Sequence, residues 1–95
     1  MTAMKILNLV LTHHWYDQTA SGSKRIEYRA MTKSDGSPSK WHKQIWAKRD
    51  EITHVRFSRG YTATTQTFEV KQIDIGECPI DGWYGIYFRI HFCSE

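Results

Sequence analysis

Long apolar runs and cysteine are both scarce in this chain of 95 residues, and each scarcity argues against a class of protein. No apolar run approaches the roughly 18 residues that a membrane helix needs. The opening residues 1–14 lack the long apolar stretch and the small-residue cleavage site of an export signal. The apolar fraction of 40% and the charged fraction of 24% are ordinary for a globular protein. We therefore expect one folded domain over residues 1–95, located in the cytoplasm and not attached to a membrane.

The two cysteines, Cys78 and Cys93, belong to no CxxC pair and have no pair of histidines nearby. In a chain without an export signal, such cysteines are more often free thiols than a disulfide. His13 and His14 are adjacent, and adjacent side chains diverge on a helix. We therefore predict no metal site and no cofactor.

Basic residues outnumber acidic residues chiefly in the middle of the chain. The whole chain has a net charge of +3, but residues 24–59 contain ten basic and four acidic residues, a net charge of +6. Residues 60–95 have a net charge of −3. Such asymmetry suggests a polyanionic partner, and an ordinary solvated surface explains it equally well.

Hydrophobic periodicity predicts the order strand, helix, strand, helix and then three strands. The expected strands are 5–11, 25–30, 54–58, 66–75 and 84–92, and the expected helices are 13–20 and a second one that starts at Ser37-Pro38. Thr12 is the expected N-cap of the first helix, and Gly22 follows its end. The alternation slips by one residue near Lys71-Gln72, which predicts a β-bulge. This pattern favours the α+β class, with a small curved sheet or barrel.

Three packing details follow from the same patterns. Apolar residues at both odd and even positions of the first strand predict burial on both of its faces. Trp41 and Ile45 are four residues apart, so the second helix is expected to place both against the core. In the last strand, every second residue from Ile86 to Phe92 is apolar and is expected to point inward.

The segment 24–29 contains three basic residues and one carboxylate, directly after the first helix. In a regular strand, Arg25, Glu27 and Arg29 share one face. Lys24 falls at the junction between turn and strand. Such a row of charges can be a surface ion-pair ladder that contributes little energy, or it can be a recognition site.

The spacing Gly22-x-Lys24-x-x-Glu27-x-Arg29 matches the GxKxxExR signature of ASCH domains, and the chain resembles short bacterial and phage members of that family. The similarity extends along nearly the whole chain, through Leu7–Leu11, Trp15–Asp17, Arg56–Tyr61, Phe68–Ile73 and Tyr87–Ile90. It implies a small PUA-like mixed β-barrel of five to six strands with two short helices. It also implies a cleft lined by Lys24, Glu27 and Arg29.

ASCH domains are generally thought to act on RNA, so the resemblance implies RNA or a nucleotide-like ligand as the partner. Some members are amidohydrolases that deacylate N4-acetylcytidine with a Lys, a Thr and a Glu. Their Lys falls on Lys24, but their Thr falls on Glu27, and residues 75–82 offer no match for their Glu. Other members are assigned ribonuclease activity. The alternative function is therefore a small hydrolase, with Lys24 and Glu27 as its catalytic residues.

The residue chemistry favours recognition over catalysis. Lys24 would act as a base or nucleophile only in a desolvated site, and its neighbour Glu27 stabilises the ammonium form. An arginine beside a carboxylate forms a rigid fork for a phosphate or a base edge. The predicted nucleic-acid-binding residues are Lys24, Arg25, Glu27, Arg29, Lys48, Arg49, Arg59 and Tyr61. A protein-interaction domain without nucleic acid remains a third function for such a fold.

Overall fold

The computed structural model describes residues 4–22 and 25–93. The elements in chain order are β1 (Ile6–Leu11), α1 (His13–Ala20), β2 (Ile26–Ala30), α2 (His42–Trp46), β3 (His54–Arg59), β4 (Thr65–Glu77) and β5 (Ile86–Cys93). This order confirms the predicted α+β class, with five strands and two short helical segments. No helix within these ranges is long and apolar enough to cross a bilayer.

The five strands form one mixed sheet in the order β1-β3-β4-β5-β2. Only β1 and β3 are parallel, and the other neighbours are antiparallel. The sheet curls into a half-barrel, so it has an inner and an outer face. The two edges of this half-barrel are β1 and β2, which are the first two strands in the chain.

The core lies on the inner face and is centred on three phenylalanines from neighbouring strands. The Phe57 ring lies 5.9 Å from the Phe68 ring and 5.1 Å from the Phe92 ring, measured between centroids. Phe68 and Phe92 are 5.0 Å apart. Tyr16 of α1 and Ile45 of α2 pack into the same core. The two helical segments therefore cover the inner face that the curled sheet leaves open.

Helix α1 has the predicted bounds because Thr12 caps its N-terminus and Gly22 allows the chain to turn away after its C-terminus. Thr12 is the N-cap, and its side-chain oxygen accepts a hydrogen bond from the Trp15 N–H at 3.5 Å. Beyond the other end, Gly22 donates its N–H to the Thr19 carbonyl at 3.1 Å. Gly22 has a φ of +85°, which a residue with a side chain rarely adopts.

The predicted start of the second helix at Ser37-Pro38 is wrong. Pro38 forms an isolated β-bridge with Thr32, so this part of the chain is extended. The segment begins later, with Trp41 as an N-cap that makes no side-chain capping hydrogen bond, and the Ser39 hydroxyl accepts a hydrogen bond from the Trp41 N–H at 3.3 Å just before it. A Ser-Pro pair fits a turn as well as a helix start, and the bridge to Thr32 decides between them here.

Segment α2 is a single π-helical turn rather than a regular helix. The Ala47 N–H donates to the carbonyl of His42, five residues earlier, at 2.9 Å. Ile45 is fully buried, as predicted, and Trp41 is half-buried against the core. The wider turn keeps both side chains against the sheet.

The prediction that β1 is buried on both faces is wrong. Leu7, Leu9 and Leu11 point inward and are buried, but Asn8 is exposed and Val10 is 43% exposed. A parallel strand is buried on both faces when helices cover both sides of its sheet. Here both helical segments pack on the inner side, so the outer face of the edge strand stays in contact with solvent.

The predicted β-bulge is present in β4. The pairing of β4 with β5 shifts register between Val70 and Gln72, which leaves Lys71 unpaired. Val70 precedes the shift and Ile73 follows it, and both pack against the core. The extra residue therefore lets one long strand keep its apolar side chains inward on both sides of the bulge.

In β5, Phe88, Ile90 and Phe92 are buried as predicted, but Ile86 is 48% exposed. Ile86 pairs with Glu77, the last residue of β4, so it lies at the end of the sheet. The alternation correctly gives the side of the strand on which Ile86 lies. It does not show where the core ends.

The outer face carries a charge cluster centred on Asp74. Arg89 donates to both Asp74 carboxylate oxygens at 2.8 Å, and His91 Nε2 lies 3.0 Å from Oδ1. The hydrogen bonds from Arg89, with a smaller effect of His91, lower the pKa of the Asp74 carboxyl. The ionised carboxylate therefore stabilises the folded state.

We expect Asp74→Asn to reduce the loss of stability in acid. A carboxyl with a lowered folded-state pKa contributes stability above its ordinary pKa of about 3.9, and that stability is lost as the pH falls through the folded value. Urea midpoints measured from pH 7 to pH 2 test this, with the exposed Asp81→Asn as the control for loss of one charge. Identical pH profiles for the two variants would contradict the prediction.

A second prediction concerns Gly76, because the Arg89 side chain lies across it. A Cβ atom on Gly76 would lie 2.4 Å from Arg89 Cζ. Gly76→Ala must therefore displace Arg89 from Asp74, and we expect a lower urea midpoint. The matched test repeats Gly76→Ala in an Arg89→Ala background, where the cost should largely disappear. An equal cost in both backgrounds would show that Arg89 is not the cause.

Candidate functional site

Arg29 connects the two edge strands of the half-barrel. It belongs to β2, and its Nη2 donates to the backbone carbonyl of Val10 in β1 at 3.2 Å. The guanidinium carbon also lies 5.2 Å from the centre of the Trp41 ring. One arginine therefore contacts both edges of the sheet and the segment just before α2.

Glu27 is the partner of Arg29 and is almost completely buried, with 4% of its surface exposed. Its Oε2 accepts from Arg29 Nη2 at 2.9 Å, and its Oε1 accepts from the Tyr28 N–H at 3.1 Å. Both residues lie on the inner face because they pair with Ile90 and Phe88 of β5. The prediction that Glu27 and Arg29 share a face is confirmed.

A cleft of about 250 Å³, which we call the seam cleft, opens where β1 approaches β2. Its lining residues are Val10, Leu11, Thr12, Trp15, Glu27, Tyr28, Arg29, Ile80 and Trp83. Most of the walls are apolar or aromatic, and the charged groups among the described lining residues are Glu27 and Arg29. The site thus combines flat apolar surfaces with one buried ion pair.

A second hollow of about 470 Å³, which we call the Trp41 pocket, lies on the other side of Arg29. Its lining residues are Asn8, Leu9, Val10, Leu11, Thr12, Arg29, Lys40, Trp41, Gln44, Gly60 and Tyr61. It shares Arg29 and the end of β1 with the seam cleft. The two hollows are therefore adjacent along β1.

Two of the other predicted binding residues lie near α2. Lys48 lines a further hollow of about 540 Å³, which adjoins the Trp41 pocket through Asn8 and Gln44. Arg49 instead packs on Trp46, with its guanidinium carbon 4.2 Å from the ring centre, and donates to the Trp46 carbonyl at 2.7 Å. Lys48 therefore lies in a hollow that continues the Trp41 pocket, whereas the Arg49 side chain is held by its contacts with Trp46.

Arg25 and Arg59 do not line the seam cleft. Arg25 lines a neighbouring hollow of about 320 Å³ beside Trp15 and Pro79, so the predicted row of three charges is a pair. Arg59 donates to both carboxylate oxygens of Asp17, at 3.0 and 3.2 Å. This contact lowers the pKa of Asp17, so both groups stay charged and offset each other at neutral pH.

Tyr61 is the last of the predicted binding residues that the structure describes. Tyr61 lies in the turn between β3 and β4, is 98% exposed and lines the Trp41 pocket. Lys24 lies outside the described residues. The catalytic role predicted for Lys24 therefore stays a prediction.

Sequence reasoning missed Trp15 and Ile80, which form walls of the seam cleft, and the backbone carbonyl of Val10. It placed Trp41 in the core but gave no indication of the two cations on its ring. Trp15 lies in the first turn of α1, three residues after the cap residue Thr12 that follows β1. The junction between the first strand and the first helix was therefore the available signal for that wall.

The chemistry available at the seam cleft is recognition by charge, hydrogen bonding and stacking. Both oxygens of Glu27 accept hydrogen bonds, one from the Tyr28 N–H and one from Arg29, so the orientation of the carboxylate is fixed. Among the residues that the structure describes, no group of three His, Cys, Asp or Glu side chains is placed to hold a metal. Cys78 and Cys93 are free thiols.

The fold and the site define a small α+β protein with an aromatic cleft and a buried Glu–Arg pair between the edges of a half-barrel. Comparison of the chain with family models, curated proteins and solved structures gave no match. A function of the chain is therefore inferred from the geometry of the site and from the signature residues.

Proposed function

We propose that the protein is an RNA-binding domain of the ASCH type, with a PUA-like fold, that holds a nucleotide or a modified base in the seam cleft. The observation that carries this proposal is the Glu27–Arg29 pair, fixed on the inner face at 2.9 Å and lining a cleft with aromatic walls. A cytoplasmic location fits such a partner.

The walls and the charges of the cleft suit different parts of one base. Trp15 and Trp83 offer aromatic surface, and aromatic side chains are the usual platforms for unpaired bases. The Glu27 carboxylate is an acceptor for an exocyclic amino group. A cleft of about 250 Å³ lies below the range of about 300–1,000 Å³ that is typical for drug-sized ligands, so a single base is the expected occupant.

In the hydrolase alternative, Glu27 acts beside Lys24 as a general base that takes up a proton. Its Oε1 already accepts the Tyr28 N–H and its Oε2 accepts Arg29, which favours a fixed acceptor over a general base. Incubation with N4-acetylcytidine or with labelled RNA separates the two functions. Turnover that Glu27→Gln abolishes would favour the hydrolase.

The test of RNA binding is a titration of labelled single-stranded RNA at about 50 and 200 mM salt, because phosphate contacts make affinity depend on salt. We expect Arg29→Ala to weaken binding about tenfold or more, since a charge-assisted hydrogen bond contributes about 1.5–3 kcal/mol. Arg56→Ala is the matched control, because Arg56 lies on β3 between the inward-pointing Val55 and Phe57. Circular dichroism confirms that each variant is folded.

Two results would contradict the proposal. One is the absence of salt-dependent RNA binding by the wild-type protein. The other is an equal loss of affinity in Arg29→Ala and Arg56→Ala, which would show that only the total charge matters.

A further inference from the structure

Trp41 holds two cations against one aromatic ring. The Arg29 guanidinium carbon lies 5.2 Å from the ring centre and Lys40 Nζ lies 4.7 Å from it. Their charges are therefore no more than about 10 Å apart. A ring face attracts a cation through its quadrupole, so the tryptophan orients both groups. Since Trp41 itself packs against the core, this arrangement is anchored to the fold.

The charged side chains among the described residues that line the Trp41 pocket are all basic. They are Arg29 and Lys40, and no aspartate or glutamate is among these described lining residues. The other polar side chains that line it include the amides of Asn8 and Gln44 and the hydroxyl of Tyr61, all of which can donate hydrogen bonds. Positive charge with neutral donors around it is the chemistry of an anion site.

Arg29 also has N–H donors that its hydrogen bonds to described residues do not use. Both of its hydrogen bonds to described residues use Nη2. Its Nε is buried and has no hydrogen-bond partner in the described part of the chain. A guanidinium carries five N–H donors, so Arg29 can keep Glu27 and Val10 and still bind an oxyanion.

The Trp41 pocket and the seam cleft lie on two sides of Arg29 and share the end of β1. One ligand would fill both hollows if a flat part that stacks and forms hydrogen bonds entered the seam cleft and an attached anionic group entered the Trp41 pocket. A nucleotide has this form, with the base as the flat part and the phosphate as the anion.

We propose that the Trp41 pocket is a phosphate subsite, where Arg29 and Lys40 bind the phosphate of the nucleotide whose base lies in the seam cleft. This inference rests on the proposed function and makes it more specific. The ligand is then a phosphorylated nucleotide, or a nucleotide unit within RNA, rather than a free nucleoside.

The test compares the four ribonucleosides, their 5′- and 3′-monophosphates and inorganic phosphate as ligands of the whole chain, by calorimetry or NMR titration. We expect at least one monophosphate to bind about tenfold or more tightly than its nucleoside. Lys40→Ala should remove most of this difference and leave nucleoside binding unchanged. Lys43→Ala is the matched control, because Lys43 is exposed, lies three residues further on and does not line the pocket.

The possible outcomes distinguish a failure of the phosphate subsite from a failure of the proposed function. Equal binding of nucleoside and monophosphate, or equal effects of Lys40→Ala and Lys43→Ala, would overturn the phosphate subsite and leave base recognition intact. Binding of inorganic phosphate that depends on Lys40, with no binding of nucleosides or RNA, would keep the anion site and overturn the proposed function. Failure of every ligand to bind would overturn both.

Discussion

Replacement of Phe57 by alanine should remove a large part of the stability of the fold. Phe57 is fully buried, and its ring contacts Phe68 of β4 and Phe92 of β5, so the cavity would open at the centre of the sheet. Truncation of a buried phenylalanine costs about 3–5 kcal/mol. Small domains have a total stability of about 5–15 kcal/mol, so we expect a large fall in the urea midpoint at 25 °C.

Two further variants make this prediction decisive. Phe57→Leu retains most of the volume and should cost less than about 1.5 kcal/mol, which keeps the protein measurable if the alanine variant does not fold. Tyr61→Ala removes an aromatic ring that is 98% exposed and should change stability by less than about 0.5 kcal/mol. A Phe57→Ala cost similar to that of Tyr61→Ala would be inconsistent with the described core.

The second large effect is expected from Glu27→Gln. The glutamine keeps the shape of the side chain and can still accept the Tyr28 N–H, but it removes the negative charge beside Arg29. Removing one partner of a buried pair leaves the other charge without compensation in a desolvated site. We expect a loss of about 2–3 kcal/mol in the free energy of unfolding, together with weaker RNA binding.

Asp17→Asn is the matched control for this variant. It also removes a carboxylate from an arginine, but the Asp17–Arg59 pair lies in contact with solvent. An exposed pair contributes little, so the loss of stability should be much smaller than for Glu27→Gln. Similar losses for the two variants would indicate that burial of Glu27 has no energetic consequence.

Local features of the chain were predictable because neighbouring residues determine them. Thr12 and Gly22 give the bounds of α1, and the slip in alternation at Lys71-Gln72 gives the bulge. The shared face of Glu27 and Arg29 follows from the period of two in a strand. In each case the physical cause lies within a few residues of its effect.

The sheet order was not predictable from these patterns, because it depends on contacts between distant segments. No local signal shows that β1 and β2 become the two edges, and this placement exposes Val10 and joins its carbonyl to Arg29. The strand pattern therefore predicted the charged pair, whereas a cleft was expected only from the family resemblance, and its walls Trp15 and Ile80 were not predicted. The contact of Arg29 with the Trp41 ring escaped prediction for the same reason.

The strand order has a consequence for how the site forms. Strands β3, β4 and β5 are consecutive in the chain and pair with their sequence neighbours, so this meander closes only short loops. β1 must find β3 across more than forty residues, and β2 must find β5 across more than fifty. We expect both edges to dock last and to open first in native-state hydrogen exchange. The binding cleft, which spans these two edges, would then assemble and dissolve while the meander remains intact.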